Sequence, residues 1–216
     1  MKKILFILLF FVSALSGWGQ SNADAYQQAM RKYLAGLDTL YVASEWVARA
    51  NAFERIAQAE PKQWLPHYYA ALCYIQAFNF EKDESRQKTY SEQAERFIAR
   101  ADALRPNDSE ITLLKSMAAS MRVRLSPIFN GARYGRLADE MLEKAQQINP
   151  DNPRVYVQRA SNLYFTPRMW GGDKEKAREV LVVAERKFST FQPASELHPD
   201  WGRSTVQYLR YLMQKE

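Results

Sequence analysis

The sequence predicts an all-α protein made of stacked pairs of antiparallel helices. A pattern of a small, a large and a small apolar residue, closed by a proline, recurs along the chain. The two clearest copies are Ala94, Ile98, Ala101 and Pro106, and Ala138, Leu142, Ala145 and Pro150. These copies lie 44 residues apart, and no alternating strand pattern competes with them. The composition, with 47% hydrophobic and 25% charged residues and one cysteine, excludes a disordered tail and a disulfide scaffold.

The spacing has a mechanical reason on a helix. Two small residues seven positions apart, with a large one between them, share one helix face, where a neighbouring helix can approach closely and the large side chain fills the groove. A proline cannot continue the helix and therefore ends it. A third copy contains Ala177, Leu181 and Ala184, and a weaker first copy contains Ala52, Ile56 and Ala59. Each copy is predicted to be the second helix of a pair, and the pairs must stack to bury their apolar faces.

The first 19 residues are predicted to be a cleavable signal peptide. Lys2 and Lys3 form a positive start, and residues 4–15 are apolar almost without interruption. A membrane-spanning helix needs about 20 apolar residues, so this stretch is too short to be one. Cleavage is expected after Gly19 or, alternatively, after Ser16, and no cysteine lies there that would carry a lipid.

The mature chain, residues 20–216, is predicted to be one domain in the periplasm or outside the cell. Removal of the two leader lysines would reduce the formal charge from +6 to +4. No second apolar stretch has membrane-spanning length, so no transmembrane anchor is expected after cleavage. The small residual charge argues against a nucleic-acid partner, as does export itself.

Four helix pairs and a closing helix are expected along the mature chain. Asn152 before Pro153 is typical of a helix start, since the first caps and the second fits the first turn. The predicted pairs are residues 23–37 with 40–60, 65–78 with 91–104, 110–125 with 136–148, and 153–165 with 173–187. Residues 189–199 are expected to form a loop, and Asp200 is expected to cap the closing helix.

The small–large–small pattern with its proline is similar to the second helix of the tetratricopeptide repeat. Tyr68, Ala71 and Tyr74 approximate the first-helix signature of that family in one copy. The resemblance implies a right-handed solenoid whose concave face is lined by the first helix of each pair. The period exceeds the family's usual length of about 34 residues, and the extra residues fall between the two helices of a pair. Segments such as residues 166–173 also resemble uncharacterised exported repeat proteins of the Bacteroidota.

No catalytic, metal-binding or cofactor-binding constellation is found in the sequence. His67 and His198 are far apart, and no nucleophile, phosphate-loop or metal-ligand motif is present. The pair Gly171–Gly172 precedes a predicted helix and could receive an anion there. We expect instead that the glycines supply unusual backbone angles and that Asp173 caps the helix. The charged run at residues 81–88 lacks the ligand pattern of a calcium loop and is predicted to be a solvated connector. No cofactor and no enzymatic activity are therefore predicted.

Two surfaces are candidates for binding a partner. The concave face would offer an apolar groove for a hydrophobic peptide, unless its side chains pack on one another or on the first helix. The loops within the helix pairs, which stacking places along one edge, would offer arginines and aromatics, the composition of binding hot spots. These loop aromatics could equally pack on one another. The concave candidates are Tyr68, Leu72, Met117, Met121 and Tyr164, and the loop-edge candidates are Arg122, Arg133, Tyr134, Arg168 and Trp170. The same loops carry Phe129 and Met169, with Arg136 nearby.

The sequence thus predicts an exported, non-enzymatic scaffold or adaptor that binds a protein or peptide in the cell envelope. This prediction rests on four repeat copies, an export signal and the absence of a recognisable group of catalytic residues. The alternative is an envelope glycan-binding protein or an enzyme that uses the arginine–aromatic loop edge. Such an edge would suit an acidic protein, a polyanionic glycan or a lipid head group.

Overall fold

A computed structural model describes residues 24–215 of the chain. The predicted signal peptide lies outside these residues. Between residues 24 and 215 the fold is all-α, with nine α-helices, two short 3₁₀ turns and no strand. No helix in this range is long and apolar enough to cross a membrane. The helices are α1 (residues 24–34), α2 (Ala43–Ala59), α3 (Trp64–Phe80), α4 (Glu84–Leu104), α5 (Ser109–Leu125), α6 (Pro127–Ile148), α7 (Pro153–Phe165), α8 (Lys174–Thr190) and α9 (Arg203–Gln214).

Successive helices from α2 to α8 stack as antiparallel neighbours. The connections are short, and Ser126 alone separates α5 from α6, which forces that pair to reverse direction. The α3–α4, α5–α6 and α7–α8 turns consequently lie at one end of the stack, which we call the open end. The remaining turns between α2 and α7 lie at the opposite, closed end. A hydrogen bond of 2.6 Å from Arg124 Nη1 on α5 to Asn79 Oδ1 on α3 joins neighbouring pairs at the open end.

The small–large–small pattern marks the buried stripe of the second helices, as predicted. In α4, α6 and α8 every alanine and large apolar residue of the pattern is at most 4% exposed. The weaker first copy on α2 does not follow the pattern fully, because Ala59 is exposed and Ala57 is buried instead. The helix-repeat architecture is therefore confirmed in the part of the chain that the structure describes.

Two helix starts lie well before their predicted positions. The fourth helix begins at Glu84 rather than at residue 91, and the sixth at Pro127 rather than at residue 136. Asp83 caps the earlier start of α4, because its carboxylate accepts a hydrogen bond of 2.9 Å from the Arg86 amide. Both extensions reach past the packed core, so they lack the buried periodicity on which the prediction depended. Most of the predicted connector at residues 81–88 is thus helix.

Residues 24–215 form two hydrophobic cores that meet at α7. The larger core is built from α1 to α6 with Val155 of α7 and Leu197, and the smaller from α7, α8 and α9. Gly202, with φ of +111°, and not Asp200, is the N-cap of α9. The Asp200 carboxylate lies 3.6 Å from the Arg203 guanidinium instead.

Residues 191–202, the closing segment, fold back over the first turns of α3, α5 and α7. The Tyr69 hydroxyl donates a hydrogen bond of 2.9 Å to the Leu197 carbonyl, and Trp201 Nε1 donates one of 2.8 Å to the Tyr68 hydroxyl. The Arg154 guanidinium on α7 lies 3.5 Å from the Trp201 carbonyl. The closing segment therefore ties the C-terminal part of the chain to its first helices.

Candidate functional site

The candidates on the concave face lie mostly in the core. Tyr68 is 0%, Leu72 1% and Met121 2% exposed, and Met117 is only 8% exposed. They pack on one another and, with Met30 of α1, belong to the larger core, an arrangement that the sequence left open. Because the closing segment covers the Tyr68 hydroxyl, no open peptide groove passes over this position.

Large apolar side chains instead project from two successive turns at the open end. The α5–α6 turn exposes Ile128 by 90% and Phe129 by 86%, and the α7–α8 turn exposes Met169 by 82%. Trp170 and Phe165 are also more than half exposed. We call this surface, with the arginines beside it, the arginine–aromatic edge. Its members are Ile128, Phe129, Arg133, Arg136, Phe165, Arg168, Met169 and Trp170.

The α5–α6 turn is short and is tied to the end of α5. Ser126 is the N-cap of α6 and Pro127 occupies the first turn, where its missing N–H costs nothing. The Asn130 side chain donates a hydrogen bond of 3.0 Å to the carbonyl of Arg122, near the end of α5. Because α6 starts beyond the core, Ile128 and Phe129 stand in its exposed first turn.

The α7–α8 turn depends on its two glycines, as the sequence predicted. Gly171 has a φ of +94°, a left-handed conformation that other residues adopt only with strain. A Cβ on Gly172 would lie 1.7 Å from the Thr166 carbonyl oxygen. The Asp173 carboxylate accepts a hydrogen bond of 3.0 Å from the Lys176 amide and so caps α8. This fixed backbone holds the Arg168–Trp170 3₁₀ turn outward.

Three arginines of the edge have no carboxylate partner. Within residues 24–215, Arg133, Arg136 and Arg168 form no salt bridge, and Arg133 only approaches its neighbouring ring, 5.4 Å from the Tyr134 centroid. Residues 122–137 contain four arginines and no acidic residue. The edge is therefore both apolar and positively charged.

Two further arginines at the open end are already engaged. Arg122 donates two hydrogen bonds of 2.6 Å to the Glu95 carboxylate, and that pairing raises the pKa of its guanidinium. Arg124 lies 4.7 Å from the Phe78 ring centroid, and burial lowers the pKa of its guanidinium. Of the predicted loop candidates, Arg122 is thus tied to α4, while Arg133 and Arg168 are unpaired among the described residues.

Two of the three predicted tyrosine candidates flank the edge. Tyr134 is half-buried about two turns into α6, beneath Arg133. Tyr164 is also half-buried and lies against Phe165, with ring centroids 5.0 Å apart, at the end of α7. Both therefore support the exposed side chains rather than project from the surface.

Neither histidine belongs to the edge. His67 is 5% exposed in the first turn of α3, at the closed end. His198 lies in the closing segment, where its Nδ1 is 2.7 Å from the Ser195 hydroxyl and its ring contacts Trp64. Between residues 24 and 215, no three His, Cys, Asp or Glu side chains are grouped so that they could hold a metal ion.

Sequence reasoning selected part of this site and missed Ile128 and Phe165 as candidates. Each lies outside the small–large–small stripe, one in the first turn of a helix and one at the last residue of a helix. A large apolar residue beyond the last buried position of a helix is the signal that would have identified both.

Comparison with known proteins gives a relative among the solved structures. No protein-family model and no curated protein matches the chain. The tetratricopeptide resemblance therefore stays a prediction. A solved structure, the HusA haemophore from Porphyromonas gingivalis, is 32% identical in sequence with a TM-score of 0.76. The match covers 88% of this chain and 93% of that one. This relative is itself from the Bacteroidota, as the sequence resemblance suggested. With this identity over nearly the whole length of both proteins, the chain belongs to the family of the HusA haemophore.

Proposed function

We propose that this chain is an exported binding protein for haem or a related porphyrin, and that the ligand lies on the arginine–aromatic edge. The relative is a haemophore, which binds haem as cargo. A porphyrin has an apolar, planar ring and carboxylate side chains. The edge offers the matching groups, namely exposed aromatic and aliphatic side chains beside unpaired arginines.

The observation that carries the proposal is the exposure of apolar side chains from two successive turns at one end. Single exposed apolar residues are ordinary, but several large ones at the same end of a fold mark an interaction surface. Ile128, Phe129, Met169 and Trp170 are each at least 64% exposed. Covering them with a flat apolar ring removes hydrocarbon from water on both partners, which favours binding at about 25 cal/mol per Å².

Binding through the ring and its carboxylates alone would make the iron dispensable. No imidazole of the described chain lies on the edge, since His67 is buried and His198 is at the closed end. A metal-free porphyrin has the same ring and the same carboxylates as haem. We therefore expect both to bind to the same place.

A titration of the purified chain with haemin and with metal-free protoporphyrin tests the proposal. Binding should shift the porphyrin absorption band and quench tryptophan fluorescence with a saturable dependence on concentration. Trp170→Ala and Phe129→Ala should each weaken binding about tenfold, because each removes an aromatic contact worth about 1–2 kcal/mol.

The matched control is Tyr208→Ala, which removes a half-exposed aromatic from the middle of α9, outside the edge. Its affinity should equal that of the unmodified chain. Absence of saturable binding to either porphyrin would overturn the proposal. Equal affinity of all three variants would move the ligand away from this edge.

The adaptor role predicted from the sequence is narrowed by these observations. A binding function without catalysis agrees with a haemophore relative. A peptide in the concave groove has little room, because the Tyr68 and Leu72 side chains are buried. A protein or glycan partner that used the arginine–aromatic edge would compete with a porphyrin for it.

A further inference from the structure

We propose that Arg133 and Arg168 receive the carboxylates of the ligand, so that the edge selects porphyrins with free acid groups over neutral esters of the same ring. This inference rests on the proposed function. It adds the chemical class that is recognised and the two side chains that recognise it.

The first argument is the pairing state of the arginines. Elsewhere in the described chain, arginines commonly face carboxylates, as Arg154 faces Glu110 and Arg96 faces Glu54. Arg133 and Arg168 have no such partner between residues 24 and 215, although both are exposed. An unpaired guanidinium presents a planar fork of donors whose shape matches a carboxylate.

The second argument is position relative to the apolar residues. Phe129 and Arg133 are four residues apart on α6 and so lie on one face, with the arginine about 6 Å further along the helix axis. Arg168 directly precedes Met169 and Trp170 in the 3₁₀ turn. Each of the two turns therefore has an arginine beside its exposed apolar side chains. A flat ring with acidic groups at its rim requires this arrangement.

The third argument is the local charge. No acidic residue lies within residues 122–137, and Asp173 in the other turn already accepts from the Lys176 amide. A ligand carboxylate therefore meets attraction here with little competition from the protein's own acids. The Arg133 guanidinium also lies over the Tyr134 ring, which holds the side chain near the edge.

The test compares protoporphyrin with its dimethyl ester in the same mild detergent, using the full purified chain. The diacid should bind the unmodified chain at least tenfold more tightly than the ester does. Arg133→Gln and Arg168→Gln should each weaken diacid binding about tenfold, the usual value of a charge-assisted pair, and leave ester binding unchanged. Added salt should weaken diacid binding more than ester binding.

Arg186→Gln is the control, because Arg186 is an exposed arginine near the end of α8 at the closed end. It should bind both ligands as the unmodified chain does, and circular dichroism should show equal helicity for all variants. Equal affinity for diacid and ester, with no effect of either edge substitution, would overturn the inference while the proposed function stands. Failure of both ligands to bind would overturn the proposed function and the inference together.

Discussion

His67 is a buried base whose Nδ1 has no hydrogen-bond partner among the described residues. Its ring packs 6.0 Å from Phe97, and burial together with the positive charges of Arg100 and Arg96 holds its pKa below the usual 6.5. A histidine of this kind is neutral in the folded chain and accepts a proton readily only after unfolding. Its contribution to stability is therefore present above about pH 6.5 and is lost as the pH falls below that value.

His67→Phe should accordingly reduce the difference in unfolding free energy between pH 8 and pH 5. Phenylalanine keeps a ring against Phe97 but removes the titrating group, so the loss of stability on acidification becomes smaller. Urea unfolding at pH 8 and at pH 5 measures this difference in unfolding free energy. Tyr74→Phe is the control, since it alters the other ring stacked on Phe97 without removing a group that titrates in this range. An unchanged pH dependence in His67→Phe would show that other groups cause the acid sensitivity.

At the scale of single elements, the buried parts of helices could be predicted from sequence. The helix starts that extend beyond the core could not. The alanines and Leu142 of α6 mark the stripe that packs, and burial confirms them. The first turns of α4 and α6 make few packing contacts, so their sequences have no apolar periodicity from which a helix could be predicted. Capping chemistry was the remaining signal, at Asp83 and at Ser126 before Pro127. The start of α6 extends beyond the core, so the apolar pattern does not predict it, and this is also the part that exposes Ile128 and Phe129. The candidate site was therefore only partly predictable.

Asp83→Ala should loosen the overhanging start of α4. The carboxylate of Asp83 accepts from the Arg86 amide, and loss of an N-cap of this kind costs about 1 kcal/mol. Amide hydrogen exchange should become faster at residues 84–90, while the packed part of α4 around Ile98 keeps its protection. Asp83→Asn retains a capping oxygen and should behave like the unmodified chain. Equally fast exchange in Asp83→Asn and Asp83→Ala would exclude the cap as the cause.

At the scale of the whole molecule, the two ends of the stack have opposite chemistry. The open end presents apolar side chains and unpaired arginines to solvent. At the closed end, most buried polar groups other than the His67 Nδ1 are paired, as where the Ser109 hydroxyl donates a hydrogen bond of 2.8 Å to the Ala145 carbonyl and accepts one of 3.1 Å from Asn152. The repeat period allowed the stack itself to be predicted. The closing segment has no period, so its path across the first turns of α3, α5 and α7 was not predictable from sequence.

The ion pair between Arg154 and Glu110 is a buried polar link between the two halves of the molecule. Arg154 Nε lies 3.0 Å from both Glu110 carboxylate oxygens, and the Arg154 side chain is only 2% exposed. The same carboxylate accepts a hydrogen bond of 3.0 Å from the Tyr68 hydroxyl. Since Arg154 also contacts the closing segment, its loss would strand a partly buried carboxylate where α5, α7 and that segment meet.

Arg154→Met should therefore reduce the free energy of unfolding by about 3–5 kcal/mol, the cost of leaving one member of a buried pair alone. Adding Glu110→Gln should recover part of that loss, because the amide oxygen still accepts from Tyr68 and no uncompensated charge remains. Urea unfolding of the two single variants and the double variant gives the coupling energy. Arg210→Met is the reference, since it breaks an exposed pair with Glu185 and should cost less than about 1 kcal/mol. If Arg154→Met were as mild as Arg210→Met, the two cores would be joined by apolar packing at α7 and not by this pair.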